Sequence, residues 1–345
     1  MQRLVKVFIV LIIVSVFAAV FFYFKAAGAK NVRLGYYYWN SKFELDTQKK
    51  ALLSLSEAPL YLHVFDVDAP DGIRLIPIAE LTDFSMKDKR QIIPVIYLTQ
   101  KGLNALRYTD IDTLSKHMIQ KAERVTKLER QNWYALQIDC DWTETNQKKY
   151  FALLKSLKKE LGGQSLSATI RLHQIKFREK TGVPPVDRGM LMFYNAGNIE
   201  FLNADNSIYS TANVKPYIDR IETYPLQLDY ALPAFSWGLL YRLGRIEKIL
   251  STNQLASVLK SGHVSKVSAQ VYSITKSGFW EGAYFFKGDQ IKIEEIGAKT
   301  CLDAALQLAA HVKNNNFTIC LFQLGSPTLS KYNDTEINKI RAAFN

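Results

Sequence analysis

Eight apolar runs rich in aromatic and β-branched residues recur along the chain, at 33–40, 59–68, 91–99, 133–141, 165–173, 188–195, 226–237 and 317–325. Their length and composition predict strands. Helix-like stretches lie between them. One, at 47–57, joins the first two runs. Another, at 110–130, sets Ile111, Leu114, Met118, Ala122 and Val125 at helical spacing. The stretch 145–161 ends against Gly162 and Gly163, where a helix C-terminus favours glycine. Two more, at 301–315 and 333–344, flank the last run. Strands alternating with helices predict a parallel α/β sheet. Eight such units in about 300 residues predict a (β/α)8 TIM-type barrel. The competing architecture is an open doubly wound sheet. Against it, no glycine-rich phosphate loop follows the first run, and several runs end in polar or aromatic residues, as strands do at a barrel's active rim.

Two segments break the alternation. Residues 245–298 fall between the seventh run and the next helix and predict a small α+β insertion. They hold a helical piece at 246–262, then strand-like pieces about a hairpin signal at 287–290. Such an insertion would form a lid or wall beside the barrel mouth. At the other end, Arg3 and Lys6 precede an uncharged apolar run at 7–24, followed by Lys25 and the small residues Ala27 and Ala29. The run approaches the ~20 residues that span a bilayer. Residues 1–30 therefore read as a signal peptide cleaved after Ala29, or as an N-terminal membrane anchor; the run's length and aromatic end favour the anchor. The basic flank places 31–345, the barrel, outside the cytoplasm: periplasmic if anchored, secreted if cleaved.

Composition narrows the function. Hydrophobic residues make up 48% and charged residues 22%, which excludes a disordered chain. The net charge of +12 raises the question of nucleic acid. The basic residues are scattered beside acids, as at 121–130 and 155–160, without a block interleaved with aromatics. Nucleic acid is therefore not expected as a partner, and a solvated basic surface is. Cys140, Cys301 and Cys320 are odd in number and build no disulfide framework. No CxxC or HExxH motif occurs, so neither a metal site nor a cofactor is expected.

The candidate chemistry collects at the strand ends. Asp139 and Asp141 stand two apart at the end of the fourth run, and so on one face of a strand, with Gln137 below. Arg171 and His173 end the fifth run, and Tyr194 and Asn195 the sixth. The first offers Tyr36, Tyr38 and Trp39, the second His63, Asp66 and Asp68, the third Tyr97, the seventh Trp237 and the eighth Gln323. Crowded carboxylates push their pKa values apart, so that one can hold a proton while another is ionised. Tryptophan and tyrosine offer flat faces to sugar rings. These residues predict a carbohydrate site. Asp141 would be the general acid with Glu144 as substitute, and Asp139 would tune the pKa of Asp141 or stabilise the oxocarbenium-like centre. Arg171 and His173 would hold a substituent, while Tyr38, Trp39 and Trp237 would stack on sugars. Plainer readings stand beside these. The two aspartates could form a structural ion pair with Arg171. His173 could be a wall residue, the tyrosines barrel core, and Asp66 and Asp68 loop caps. A metal-dependent hydrolase would need Asp139, Asp141 and His173 to converge.

The stretches LQIDCDWTE (136–144) and MLMFYN (190–195) resemble the chitinase-like glycoside hydrolase barrels. The resemblance implies alternating acids at the end of strand four, matched by Asp139 and Asp141. It also implies a Met-x-Tyr-Asp at the end of strand six, matched by Met192 and Tyr194. Many of these barrels carry an α+β module after strand seven. More closely, LQIDCDWT with LSATIRLHQ (166–174) and VPPVDRGMLMFYN (183–195) is similar to an uncharacterised family of exported bacterial barrel proteins of unknown function. Two departures matter. The chitinase-like acid, a glutamate two residues after the second aspartate, is Thr143 here, with Glu144 one step on. One step turns a strand side chain to the other face, unless a bulge returns it. Asn195 replaces the last aspartate of the strand-six motif. The expectation is a glycoside hydrolase-like protein acting on a polysaccharide outside the cytoplasm. The alternative is a non-catalytic glycan-binding or envelope-assembly protein on the same barrel. A second carboxylate ~5–9.5 Å from Asp141, from Asp66 or Asp68, would favour catalysis.

Overall fold

The structure, a computed structural model, describes residues 30–86 and 90–345. Eight parallel strands close into a barrel. They are β1 (Asn31–Tyr38), β2 (Leu60–Asp68), β3 (Ile92–Leu98), β4 (Leu136–Asp139), β5 (Leu166–Arg171), β6 (Arg188–Met192), β7 (Leu228–Pro233) and β8 (Asn316–Leu324). Each pairs with the next in sequence, and β1 closes the ring by pairing with β8 as well as β2. The (β/α)8 expectation therefore holds. A short strand, Ile76–Ile78, adds antiparallel to the end of β2.

The helical layer follows the apolar stripes. Helix Ile111–Thr126 buries Ile111, Met118, Ile119, Ala122 and Val125. Helix Gln147–Glu160 buries Tyr150, Leu153, Leu154 and Leu157. The barrel interior is partly polar. The Tyr37 hydroxyl donates to Gln137 Oε1 at 2.5 Å, and Gln137 Nε2 donates to Ser167 Oγ at 3.2 Å. Strands β1 and β4 are not neighbours, so the first of these bonds crosses the interior. Near the opposite, N-terminal end, Arg188 grips Asp229 through Nε–Oδ2 at 2.9 Å and Nη2–Oδ1 at 2.8 Å. Cys140, Cys301 and Cys320 are buried free thiols.

After β7 the chain leaves the barrel and builds a second, antiparallel sheet. Its order is Arg245–Leu250, Ser236–Arg242, Gln290–Glu295, Val271–Ile274, Val264–Lys266. Helix Thr252–Lys260 packs with it, and a hairpin joins Gly278–Trp280 to Ala283–Phe285. Leu240, Leu250, Val258, Ile274, Phe285 and Ile291 form an apolar cluster of its own. The run 226–237 thus divides after Pro233, and Trp237 belongs to the added sheet. The piece 246–262 also divides. Its first residues alternate with period two and pair as a strand, and Ser251 caps the helix only from Thr252. The anchor or signal read over 1–30 lies outside the described residues. Among those described, no helix is long and apolar enough to cross a membrane.

Candidate functional site

At the C-terminal end of the barrel, β4 stops at Asp139 and the chain turns outward. Asp139 is 5% exposed. Its Oδ1 accepts from Thr169 Oγ1 at 2.5 Å and lies 3.4 Å from Arg171 Nη2. Arg171, ending β5, also donates through Nε to Asp141 Oδ1. One guanidinium therefore spans both acids, and the ion-pair arrangement is present. Asp141 differs from its neighbour in being 40% exposed at the side chain. Burial holds the Asp139 carboxyl above the usual carboxylate range, although Arg171 opposes it; the nearby Asp141 charge adds to the rise. Burial likewise raises the Tyr97 phenol, with further contributions from Asp141 and Asp139.

Beside this bridge is a cavity of about 280 Å³ lined by Asp141, Arg171, His173, Tyr194, Asn195 and Tyr217. Tyr194 is buried and donates to Met192 Sδ at 3.2 Å. Asn195 takes a left-handed conformation (φ 55°), which its short amide side chain tolerates, and its N–H donates to Ile208 O at 2.7 Å. That turn directs the chain away from the barrel directly after the strand-six motif.

A second recess, about 390 Å³, lies between the ends of β1, β7 and β8 and the added sheet. Asn40, Trp237, Asn253, Gln323 and Ser326 are among its lining, which carries no charged side chain. Trp237 is held by a bond from Nε1 to Glu294 Oε2 at 2.9 Å. Glu294 also accepts from the Ser207 N–H at 3.0 Å and from its hydroxyl, and its Oε1 lies 2.8 Å from Lys292 Nζ. Burial works against the Glu294 charge, but the donors Lys292, Ser207 and Trp237 outweigh it and lower the pKa. Elsewhere on the mouth, Trp39 stacks on His63 with centroids 4.5 Å apart. The His63 Nε2 meets Asp66 Oδ1 at 2.7 Å, and the Trp39 N–H donates to Gln323 Oε1 at 3.1 Å.

The sequence-read residues separate accordingly. Asp141, Arg171, His173, Tyr194 and Asn195 are brought together, Asp139 lies beneath them, and Trp237 and Gln323 share the second recess. Trp39 and Asp66 sit with His63. In register, Asp66 pairs with Tyr97 and Tyr97 with Asp139, so a tyrosine stands between the two acids. Four residues fall elsewhere. Tyr38 is fully buried, donates to Lys42 O at 2.6 Å and packs on Phe43, on the helix side of β1. Tyr36, with the same parity, faces that side too; Tyr37 is the inward tyrosine. Asp68 accepts from Thr99 Oγ1, whose oxygen caps helix Gln100–Ala105. Glu144 is exposed and lines neither recess. The reason is local. Asn146 accepts from the Thr143 N–H at 2.8 Å, and its amide is bound by Gln100 and Asn104, both at 3.1 Å. The turn 143–146 is thereby pinned to the helical layer, with Trp142 buried against Tyr150. Asp139, Asp141 and His173 do not converge on a metal: among the described residues no group of three or more His, Cys, Asp or Glu is arranged to hold one. Sequence reading missed Thr169 and Glu294. Thr169, two residues before Arg171, could have been found by the same period-two rule; nothing local marks Glu294.

No protein-family model matches the chain, and no curated protein matches it in sequence. Solved structures do resemble it. The spore cortex-lytic enzyme SleL of Bacillus cereus is 15% identical, with a TM-score of 0.53 over 92% of this chain and 76% of that one. SleL of Bacillus megaterium QM B1551 is 14% identical, with a TM-score of 0.53 over 90% and 74%. A chitinase from Chromobacterium violaceum ATCC 12472 is 11% identical, with a TM-score of 0.48 over 92% and 98%. At such identities the likeness is one of architecture alone: this chain shares the (β/α)8 barrel fold of the two SleL structures.

Proposed function

We propose that the barrel mouth binds a polysaccharide, recognising it without the glutamate-dependent cleavage of the chitinase-like pattern. One observation carries this reading. Thr143 stands where the acid glutamate belongs, the turn that holds it is pinned away from the cavity, and Asp141 is engaged by Arg171. The free oxygen of Asp141, the Asn195 amide and the His173 ring present donors and acceptors suited to sugar hydroxyls. The uncharged recess beside Trp237 suits a second, neutral sugar ring. The SleL proteins, similar in fold, are cortex-lytic enzymes, which supports a carbohydrate ligand here. The basic-flanked apolar run at 7–24 supports an outward-facing, membrane-held protein.

A second reading is favoured by Asp139. A carboxyl held above its usual range beside a second carboxylate is the arrangement that acid–base hydrolysis uses. The two readings separate in one experiment. The full chain is incubated with a panel of cell-envelope polysaccharides while retention and released reducing ends are both measured. Retention without reducing ends, weakened about tenfold by Asn195→Ala or His173→Ala, is expected, since tenfold is ~1.4 kcal/mol, the scale of one hydrogen bond. Reducing ends that appear with the wild type and vanish with Asp141→Asn would establish hydrolysis instead.

A further inference from the structure

The added sheet leaves an apolar surface uncovered. In the hairpin 278–285, Trp280, Ala283 and Phe285 turn toward the module's own core, where Ala283 and Phe285 are buried. Phe279 and Tyr284 are direct cross-strand partners on the opposite face, 68% and 48% exposed. Phe286, 47% exposed, continues the row, its ring 4.8 Å from that of Tyr284. The Arg242 guanidinium lies 4.4 Å from the centre of the Phe286 ring, and the next residue, Leu243, is 98% exposed at the tip of a turn. An aromatic row and a leucine-tipped turn therefore stand side by side, and burying them would be favourable.

The charges around this surface say what would cover it. Arg245, Lys276 and Lys287, close in sequence to these side chains, form no ion pair among the described residues, while Arg242 is taken up by Glu247 and Asp289 and Lys248 lies over the core-facing Phe285 ring. Glu281 is the one acid of this surface without an ion pair among the described residues. The excess is positive. Aromatic faces alone would suit a sugar ring, but Leu243, 98% exposed beside them, offers neither a flat face nor a hydrogen bond to a hydroxyl. Projecting apolar side chains ringed by lysine and arginine match the headgroup region of an anionic bilayer. There the rings enter the acyl boundary and the basic groups meet lipid phosphates.

We propose that this module docks through Leu243, Phe279, Tyr284 and Phe286 on an anionic lipid surface. The site is separate from the barrel mouth and does not depend on what the mouth binds. Its test uses the full chain reconstituted in nanodiscs of phosphatidylcholine alone or with phosphatidylglycerol. Amide hydrogen exchange is read at 278–286 and 243–245. Exchange there is expected to be about tenfold slower in the phosphatidylglycerol discs, and unchanged in the barrel strands. The Phe279→Ser/Phe286→Ser variant alters exposed side chains only and should lose the protection. Lys276→Gln/Lys287→Gln should lose most of its dependence on phosphatidylglycerol. Equal exchange in the two discs overturns the proposal. So does protection that appears only when polysaccharide is added to the lipid-free protein in detergent, since that outcome assigns the surface to glycan.

Discussion

Arg171 decides how two adjacent acids can share the end of one strand. Each acid alone would repel the other; the guanidinium between them offsets that repulsion, and Thr169 satisfies the deeper one. The two acids differ because one is buried and the other is not. Removing the cation by Arg171→Met leaves Asp139 buried without its partner and should cost about 3–5 kcal/mol, read from the urea midpoint. Asp139→Asn added to it should recover part of that loss, because the residues are in contact and their effects are not additive. Asp141→Asn removes a half-exposed charge and should cost less than about 1 kcal/mol. Asp139 also has a pH signature. Its folded pKa is raised, so above the ordinary aspartate value of ~3.9 the folded state keeps a proton that the unfolded state has lost. Stability from this group should therefore fall as pH rises through the raised value. Urea midpoints taken between about pH 4 and pH 8 should show that decline in the wild type and less of it in Asp139→Asn. Parallel profiles would contradict the raised value.

At the scale of elements, strand Gln290–Glu295 joins three parts. Through Glu294 it holds Trp237 on the neighbouring strand and Ser207 on the loop after β6, while Lys292 reaches Ala204 O at 2.7 Å in the same loop. Gly197 is needed for the approach. A Cβ there would stand 2.5 Å from Ser207 Cα, a backbone atom that cannot turn aside. Gly197→Ala should therefore destabilise by about 1–3 kcal/mol. Glu294→Ala leaves Lys292 buried and unpaired and frees three donors, at about 3–5 kcal/mol. Both variants should open the loop 193–210 to protease, and Glu294→Ala should also shift Trp237 fluorescence. If the loop stays as resistant as in the wild type, this strand is not what holds it.

For the whole molecule, the informative fact is that the described residues form two apolar clusters, a large one in and around the barrel and a small one in the added sheet. A sheet resting on so small a cluster should open at lower free energy than the barrel strands. Native-state hydrogen exchange should then show 264–285 exchanging through an opening that leaves β1–β8 protected. Simultaneous exchange of both would mean one cooperative unit.

What the sequence determined by itself was the period. Eight apolar runs with helical stretches between them sufficed for the barrel, because a parallel strand buried on both faces reads as a near-continuous apolar run. The same rule brought Asp139, Asp141, Arg171 and Tyr194 to one rim, since strand ends in a closed barrel point to a common mouth. Parity was where it failed. Three consecutive tyrosines at 36–38 carry no local mark of which one faces inward, and that is decided by Gln137, a hundred residues away on a strand that is not a neighbour. The position of Glu144 was equally out of reach. A turn can aim a side chain either way, and here Asn146, held by Gln100 and Asn104, aims it outward. The sequence could name the groups at the mouth; only packing against distant elements decided which of them meet.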